Sequence, residues 1–219
     1  MNIIVGTPKQ VWSRSSAGVY TKIHEDTSAD LGGTGAVQGY SDGSILFGLH
    51  ERIDRYYGGV WSSAAFGEFA PERLHSPSRG YSDGATWGFY HARWFRWTGL
   101  AWVKGNLPAS CAGGEIWAAS ATECWIIGGS HIYHTTDGGV NWTDLLNILK
   151  IVDPTFERPF AVWGRSSTEV YFTPNNSRSN PHCRLVKWNG SLFSIVTDGL
   201  VSNNFPIACR MCGTASALW

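Results

Sequence analysis

Three His-x-Arg triplets stand out among the residues able to do chemistry: His50-Glu51-Arg52, His91-Ala92-Arg93 and His182-Cys183-Arg184. An imidazole next but one to a guanidinium offers a donor for hydroxyls beside a planar fork that binds carboxylate or sulfate through paired hydrogen bonds. His131-Ile132-Tyr133 stands at the corresponding place in a fourth segment. The candidate ligand-binding set is therefore His50, Arg52, His91, Arg93, His131, Tyr133, His182 and Arg184. With His24 and His75 in or near connectors, six of the seven histidines are expected on one face. Trp94, Trp97, Tyr56 and Tyr133 would set flat apolar rings beside these donors, a combination suited to sugar rings or to a protein with acidic groups. The same triplets also fit a structural use, in which each Arg pairs with a carboxylate of a neighbouring strand.

Other chemistries are poorly supported. No catalytic residue, metal site or cofactor is expected: turns related by a repeat lie too far apart to bring histidines within ~2 Å of one ion. Glu51 with Asp54, or Glu123 with Asp137, carry no motif of a glycosidase pair. The five cysteines, Cys111, Cys124, Cys183, Cys209 and Cys212, are odd in number and lack framework spacing, so a disulfide-built fold is not expected. Cys209-Arg210-Met211-Cys212 is formally a CxxC, but it falls on a strand position and reads as packed thiols.

The triplets recur because the chain repeats. Gly39-Tyr40-Ser41-Asp42-Gly43 nearly matches Gly80-Tyr81-Ser82-Asp83-Gly84, and diverged copies begin at Ile116, Val162 and Met211. With Tyr40, Tyr81, Trp117, Trp163 and Cys212 as equivalents the spacings are 41, 36, 46 and 49 residues, and 47 on wrapping through Trp219 to Tyr40. A period of ~40–50 residues made of short strands signals propeller blades. The expectation is an all-β, five-bladed β-propeller of four-stranded antiparallel blades, one domain over residues 1–219. Its blades cover about 36–66, 78–108, 114–146 and 158–198, and the last combines 208–219 with 1–27. In that last blade Ala208 to Gly213 would be the inner strand, joined by Asn2–Val5, Lys9–Ser13 and Val19–Lys22, so that the chain ends close the ring and remove its open edges. The second contiguous blade is expected to have strands near Arg79–Ser82, Thr86–Tyr90, Arg93–Trp97 and Leu100–Val103. Asp-Gly, Asn-Gly and Gly-Gly pairs supply the tight turns between strands. Leu145 to Val152 suits a short helix in a connector. In such blades the turn between strands two and three lies at the same end as the connectors, which is where the His-x-Arg triplets fall.

Composition narrows the partners. The 219 residues include 17 Lys plus Arg and 17 Asp plus Glu, so no basic field exists to hold a phosphate backbone and nucleic acid is not expected. Twelve Trp and 26 Gly against two Met describe aromatic strands and tight turns. No apolar run reaches the ~18 residues of a membrane helix, so no membrane insertion is expected. Met1 to Gly6 lacks the features of a signal peptide, so the expected location is the cytoplasm of the producing cell or an assembled virion.

The stretch Ile132 to Trp142 resembles the Asp-box, S/T-x-D-x-G-x-x-W, of sialidase-like and other propellers: Thr135, Asp137, Gly139 and Trp142 fill its positions. Val11 to Tyr20 resembles a degraded copy with Ser16 in the Asp place. The V-W-G-x-S pattern at Val162 to Ser166, with the Lys187-Trp188-Asn189-Gly190 turn, is similar to repeats of bacterial and phage propellers and of tachylectin- or tectonin-like lectins. In an Asp-box the carboxylate caps its own turn, so the resemblance implies a structural Asp137. The arginine cluster and Tyr/Glu pair of a sialidase cannot be matched residue by residue. What the resemblance implies is a non-enzymatic recognition module that binds glycan or a protein surface, as an adhesin or accessory component of a larger assembly. A structural or decoration subunit among the other subunits of a phage particle is the alternative, and a glycoside hydrolase the lesser one.

Overall fold

A computed structural model describes residues 3–6, 10–25, 36–39, 45–48, 52–65, 87–90, 92–98, 102–111, 114–174, 182–201, 213–214 and 217–218. The strands form antiparallel meanders in chain order. The first sheet holds β1 (Ile3–Gly6), β2 (Gln10–Arg14) and β3 (Tyr20–Glu25). The second holds β4 (Ala36–Gly39), β5 (Ile45–Gly48), β6 (Arg52–Tyr57) and β7 (Val60–Ala65). In the third are β8 (Trp87–Tyr90), β9 (Arg93–Trp97) and β10 (Trp102–Asn106). The fourth contains β11 (Glu115–Ala118), β12 (Cys124–Gly128), β13 (His131–Thr135) and β14 (Thr143–Asp144). A helix, α1 (Leu146–Val152), leads to the fifth sheet, β15 (Pro159–Ser166), β16 (Glu169–Pro174), β17 (His182–Trp188) and β18 (Phe193–Val201). A hairpin of β19 (Gly213–Thr214) and β20 (Ala217–Leu218) follows.

Most expected strands are found, and the helix lies where it was expected. One strand is displaced: the segment expected at Leu100–Val103 runs from Trp102 to Asn106, because Trp102 pairs with Trp97 and Asn106 with Arg93, which spans all of β9. The expected inner strand Arg79–Ser82 lies outside the described residues. So do residues 202–212, which include most of the strand expected to join the two chain ends. Among the described residues β19 pairs with β20 and neither joins β1, so a sheet shared by the termini is not seen there.

The core lies between sheets. β12 shows why such strands read as unbroken apolar runs, since all five of its residues are buried. Cys124 and Ile126 join a cluster with Trp87, Phe89 and Tyr133, while Trp125 and Ile127 join another with Trp163, Tyr171 and Trp188. Side chains alternate across a strand, so one buried on both faces must be apolar throughout. Cys111 and Cys124 are free and buried, as packed thiols should be. A third cluster, Val11, Ile45 and Phe47, joins the first sheet to the second.

Close approaches fix the seams. A Cβ on Gly164 of β15 would lie 2.7 Å from the Trp117 ring of the fourth sheet, so only hydrogen lets the two sheets meet. Trp87 Nε1 donates to Ser120 O at 3.1 Å and Arg96 Nη1 to Ala121 O at 3.0 Å, tying the third sheet to the first hairpin of the fourth. Between the first and second sheets, His24 Nε2 lies 2.6 Å from Asp54 Oδ2, and its ring stacks on Trp61 with centroids 4.0 Å apart. Asp54 is fully buried and also accepts from Ser63 Oγ at 2.7 Å.

Candidate functional site

Arg52, His131 and His182 are the first residues of β6, β13 and β17, the third strands of their sheets, and Arg93 is the first residue of β9, the middle of the three described strands of its sheet. The repeat thus puts them at equivalent strand ends. His50 and His91 lie outside the described residues, as do the side chains of Arg52 and His182. Arg93 is half-buried. His24, expected near the face, is committed to the seam with Asp54.

Two members of the set, His131 and Arg184, pair with the carboxylates at the two ends of α1. Asp144 binds His131 Nδ1 through Oδ2 at 2.8 Å, and its Oδ1 accepts the Ile132 and Leu146 N–H groups at 3.1 and 3.0 Å. One carboxylate therefore fixes the His131 ring, the start of β13 and the first turn of the helix, where a negative charge also suits the helix dipole. At the other end Asp153 closes α1 by donating its N–H to Leu149 O at 2.9 Å. Its buried Oδ1 accepts from Thr155 N, Thr155 Oγ1 and Arg184 Nη1 at 3.0, 2.6 and 2.9 Å. Arg184 thus takes the structural use, pairing with a carboxylate of a neighbouring element.

Between these clamps α1 turns Leu146 and Leu149 into the core and leaves Ile148, Ile151 and Val152 in solvent, Ile151 at 81% exposure. Spacing of three and four residues puts these three on one side of the helix. Sequence reasoning found the helix but not this stripe, because Leu-Asn-Ile-Leu-Lys-Ile-Val is apolar around most of its circumference and does not show which side is covered.

Two of the four aromatic residues expected on the face, Tyr133 and Trp94, are corrected by the structure, while Tyr56 is half-buried and the Trp97 side chain lies outside the described residues. Tyr133 is 3% exposed and Trp94 5%, both inside the core between the third and fourth sheets. Burial and then the nearby Asp144 charge raise the Tyr133 phenol above its usual range. Burial also pushes the neighbouring Cys111 thiol up to about 12, which leaves it a packed, unreactive group. The His131 ring lies against Tyr133 with centroids 5.1 Å apart. These aromatics sit on strands buried from both sides, which proximity to a turn in the sequence does not reveal.

The turn after β13 behaves as a capped hairpin. Thr135 Oγ1 donates to Asp137 Oδ1 at 2.8 Å and accepts from the Gly139 N–H at 3.0 Å. Asp137 accepts from Asn141 N at 2.9 Å and Asn141 Nδ2 at 2.7 Å. These bonds, those from Asn141 foremost, lower the Asp137 carboxyl to about 2. Gly139 has φ of 92°, and a Cβ there would lie 2.6 Å from the Trp94 ring. Trp142 meets Trp87 edge-on at 6.2 Å, bridging to the third sheet. In the related hairpin after β2 the capping oxygen belongs to Ser15, whose Oγ accepts the Val19 N–H at 3.2 Å, rather than to Ser16.

A repeated rung across the sheets was missed by sequence reasoning. Trp117 faces Trp125, which faces His134, in the fourth sheet; Trp163 faces Tyr171, which faces Lys187, in the fifth; Trp87 faces Arg96 in the third. Each basic group lies on its aromatic partner: His134 stacks on Trp125 at 4.2 Å, Arg96 lies 5.5 Å from the Trp87 ring centre and Lys187 5.6 Å from that of Tyr171. A cation or imidazole over a ring face is attractive and covers a large apolar surface. The Trp-x-x-Ser-x-Thr-Glu spacing at Trp117–Glu123 and Trp163–Glu169 was the available signal.

Consecutive four-stranded meanders that bury their faces against one another have the architecture of a β-propeller. No protein-family model matches the chain, and no curated protein is similar to it in sequence. Among solved structures it is similar to virginiamycin B lyase from Staphylococcus aureus, with TM-score 0.64 and 14% identity over 87% of this chain and 63% of that one. It is also similar to BBS1N in complex with ARL6DN, with TM-score 0.60 and 11% identity over 97% and 67% of the two chains. An ancestral GH74 enzyme gives TM-score 0.56 and 14% identity over 92% of this chain and 31% of that one. These neighbours are β-propeller proteins, and at such identities they show the fold alone. The chain spans 63% of the lyase in that structure and 69% in a second structure of the same lyase.

Proposed function

We propose that this chain is a recognition module that docks a partner protein on the surface built by α1. The stripe of Ile148, Ile151 and Val152, held in water on a helix clamped at both ends, carries this reading. Aliphatic side chains fixed in one geometry bind with little ordering cost, and they suit an apolar protein surface. They lack the flat faces on which sugar rings stack, and two of the rings expected to supply those faces, Trp94 and Tyr133, are buried. The similar BBS1N structure is itself a complex with another protein, which makes a protein partner a natural use of the fold. Co-purification from the producing cell, quantified by mass spectrometry, tests the reading against an Ile148→Asp/Ile151→Asp variant of matched melting temperature. Loss of a specific protein from the variant supports it. A glycan-array signal that both forms give equally, with no protein lost, overturns it.

The ring reads best as five blades closed by the two chain ends. Among the described residues the first sheet has three strands where the second, fourth and fifth have four, and β1 meets β4, the first strand of the second sheet. A strand from residues 208–213 would complete the first sheet to four. Truncation after residue 207 should then leave a chain that aggregates or melts earlier. An unchanged monomer with unchanged melting would contradict closure.

A further inference from the structure

At the strand ends opposite α1, the fifth sheet carries a second charged cluster: Arg165 on β15, Glu169 and Tyr171 on β16, and Lys187 on β17. Three donors converge on one carboxylate oxygen. Tyr171 Oη donates to Glu169 Oε1 at 2.6 Å, Arg165 Nη1 lies 3.2 Å from it and Lys187 Nζ 3.6 Å. The Tyr171 hydrogen bond first, and then the Lys187 and Arg165 charges, hold the Glu169 carboxyl below its usual range. Glu169 is therefore ionised, and with two permanent cations the cluster keeps one unit of positive charge.

Comparison with the fourth sheet shows that the fold does not require this excess. There Glu123 occupies the place of Glu169, Trp125 that of Tyr171 and His134 that of Lys187, with His134 Nε2 3.1 Å from Glu123 Oε1. Ala119, two residues beyond Trp117, stands where Arg165 stands beyond Trp163. The carboxylate and the group over the ring repeat, while the second cation belongs to the fifth sheet alone of these two. Arg165 and Lys187 are 33% and 32% exposed. Among the described residues, Arg165 is bonded through Nη1 only, which leaves its Nε–Nη2 edge open.

We infer that Arg165 and Lys187 form a binding site for a carboxylate group, with the Arg165 edge as the planar fork and Lys187 as the point charge. Glu169 positions both cations and competes with the incoming anion. The inference is independent of the α1 surface and of any partner there.

Acetate is the probe, titrated into the whole chain at constant ionic strength against chloride and followed by amide NMR shifts. Saturable shifts around Arg165, Glu169 and Lys187, with a dissociation constant in the millimolar range, are expected. Arg165→Ala, which places there the residue the fourth sheet already carries, should weaken binding by about threefold or more, and Lys187→Ala likewise. Glu169→Gln keeps the acceptor oxygen but removes the competing charge, so it should tighten binding by about threefold. A purely structural ion-pair network predicts no gain from Glu169→Gln. Shifts that do not saturate, that chloride reproduces, or that Glu169→Gln leaves unchanged or weakens would overturn the site.

Discussion

Asp137 uses both carboxylate oxygens within its own hairpin, accepting from Thr135 Oγ1, Asn141 N and Asn141 Nδ2. Its folded carboxyl, at about 2, lies below the ordinary 3.8, so the stability it contributes is present in full above pH ~4 and is lost as pH falls toward 2. Asp137→Ala should lower the melting temperature by roughly 2–4 °C at neutral pH, with the gap closing between pH ~4 and ~2. Melting curves of both forms across that range check this, and partner binding should be unaffected. Arg184 is different because its acceptor, Asp153, is buried and distant in sequence. Arg184→Ala leaves the buried Asp153 carboxylate with its Thr155 hydrogen bonds but without its paired charge and should cost on the order of 1–3 kcal/mol, measured by urea unfolding, while also loosening the helix that displays Ile151. The role of Asp137 was legible in the sequence because every bond it makes is to a residue within four positions. That of Arg184 was not, since a triplet motif carries no sign of a partner on another element.

At the scale of elements, strands such as β11, β12 and β16 were legible because they are buried on both faces and so read as largely apolar runs. Register was less so: β10 begins later than turn spacing suggests because Trp102 must face Trp97. The aromatic-to-cation rung depends on such pairings, since it is the strand register that joins Trp117, Trp125 and His134. Its energetic weight falls on the seams. Gly164→Ala would drive a methyl into the Trp117 ring at 2.7 Å, and overpacking of this kind costs about 1–3 kcal/mol. Denaturant unfolding should show that loss, and a double variant with Trp117→Leu should recover part of it. Gly58→Ala is the control, because no atom lies near its Cβ; its positive φ alone should cost less.

For the whole molecule, the period of the sequence was enough to anticipate stacked four-stranded sheets, since a blade can bury its faces only against other blades. The surface proposed for a partner was not anticipated, because it arises where a connector helix breaks the repeat and is clamped between His131 with Asp144 and Arg184 with Asp153. The most direct measurement is photocrosslinking in the producing cell with a benzoylphenylalanine placed at Ile151. The account predicts a crosslink to one protein species, competed by the unlabelled chain, suppressed by Ile148→Asp and absent when the label sits at Leu192, at the opposite strand ends of the fifth sheet. No crosslinked protein from position 151, or equal crosslinking from 192 that Ile148→Asp does not change, would contradict it.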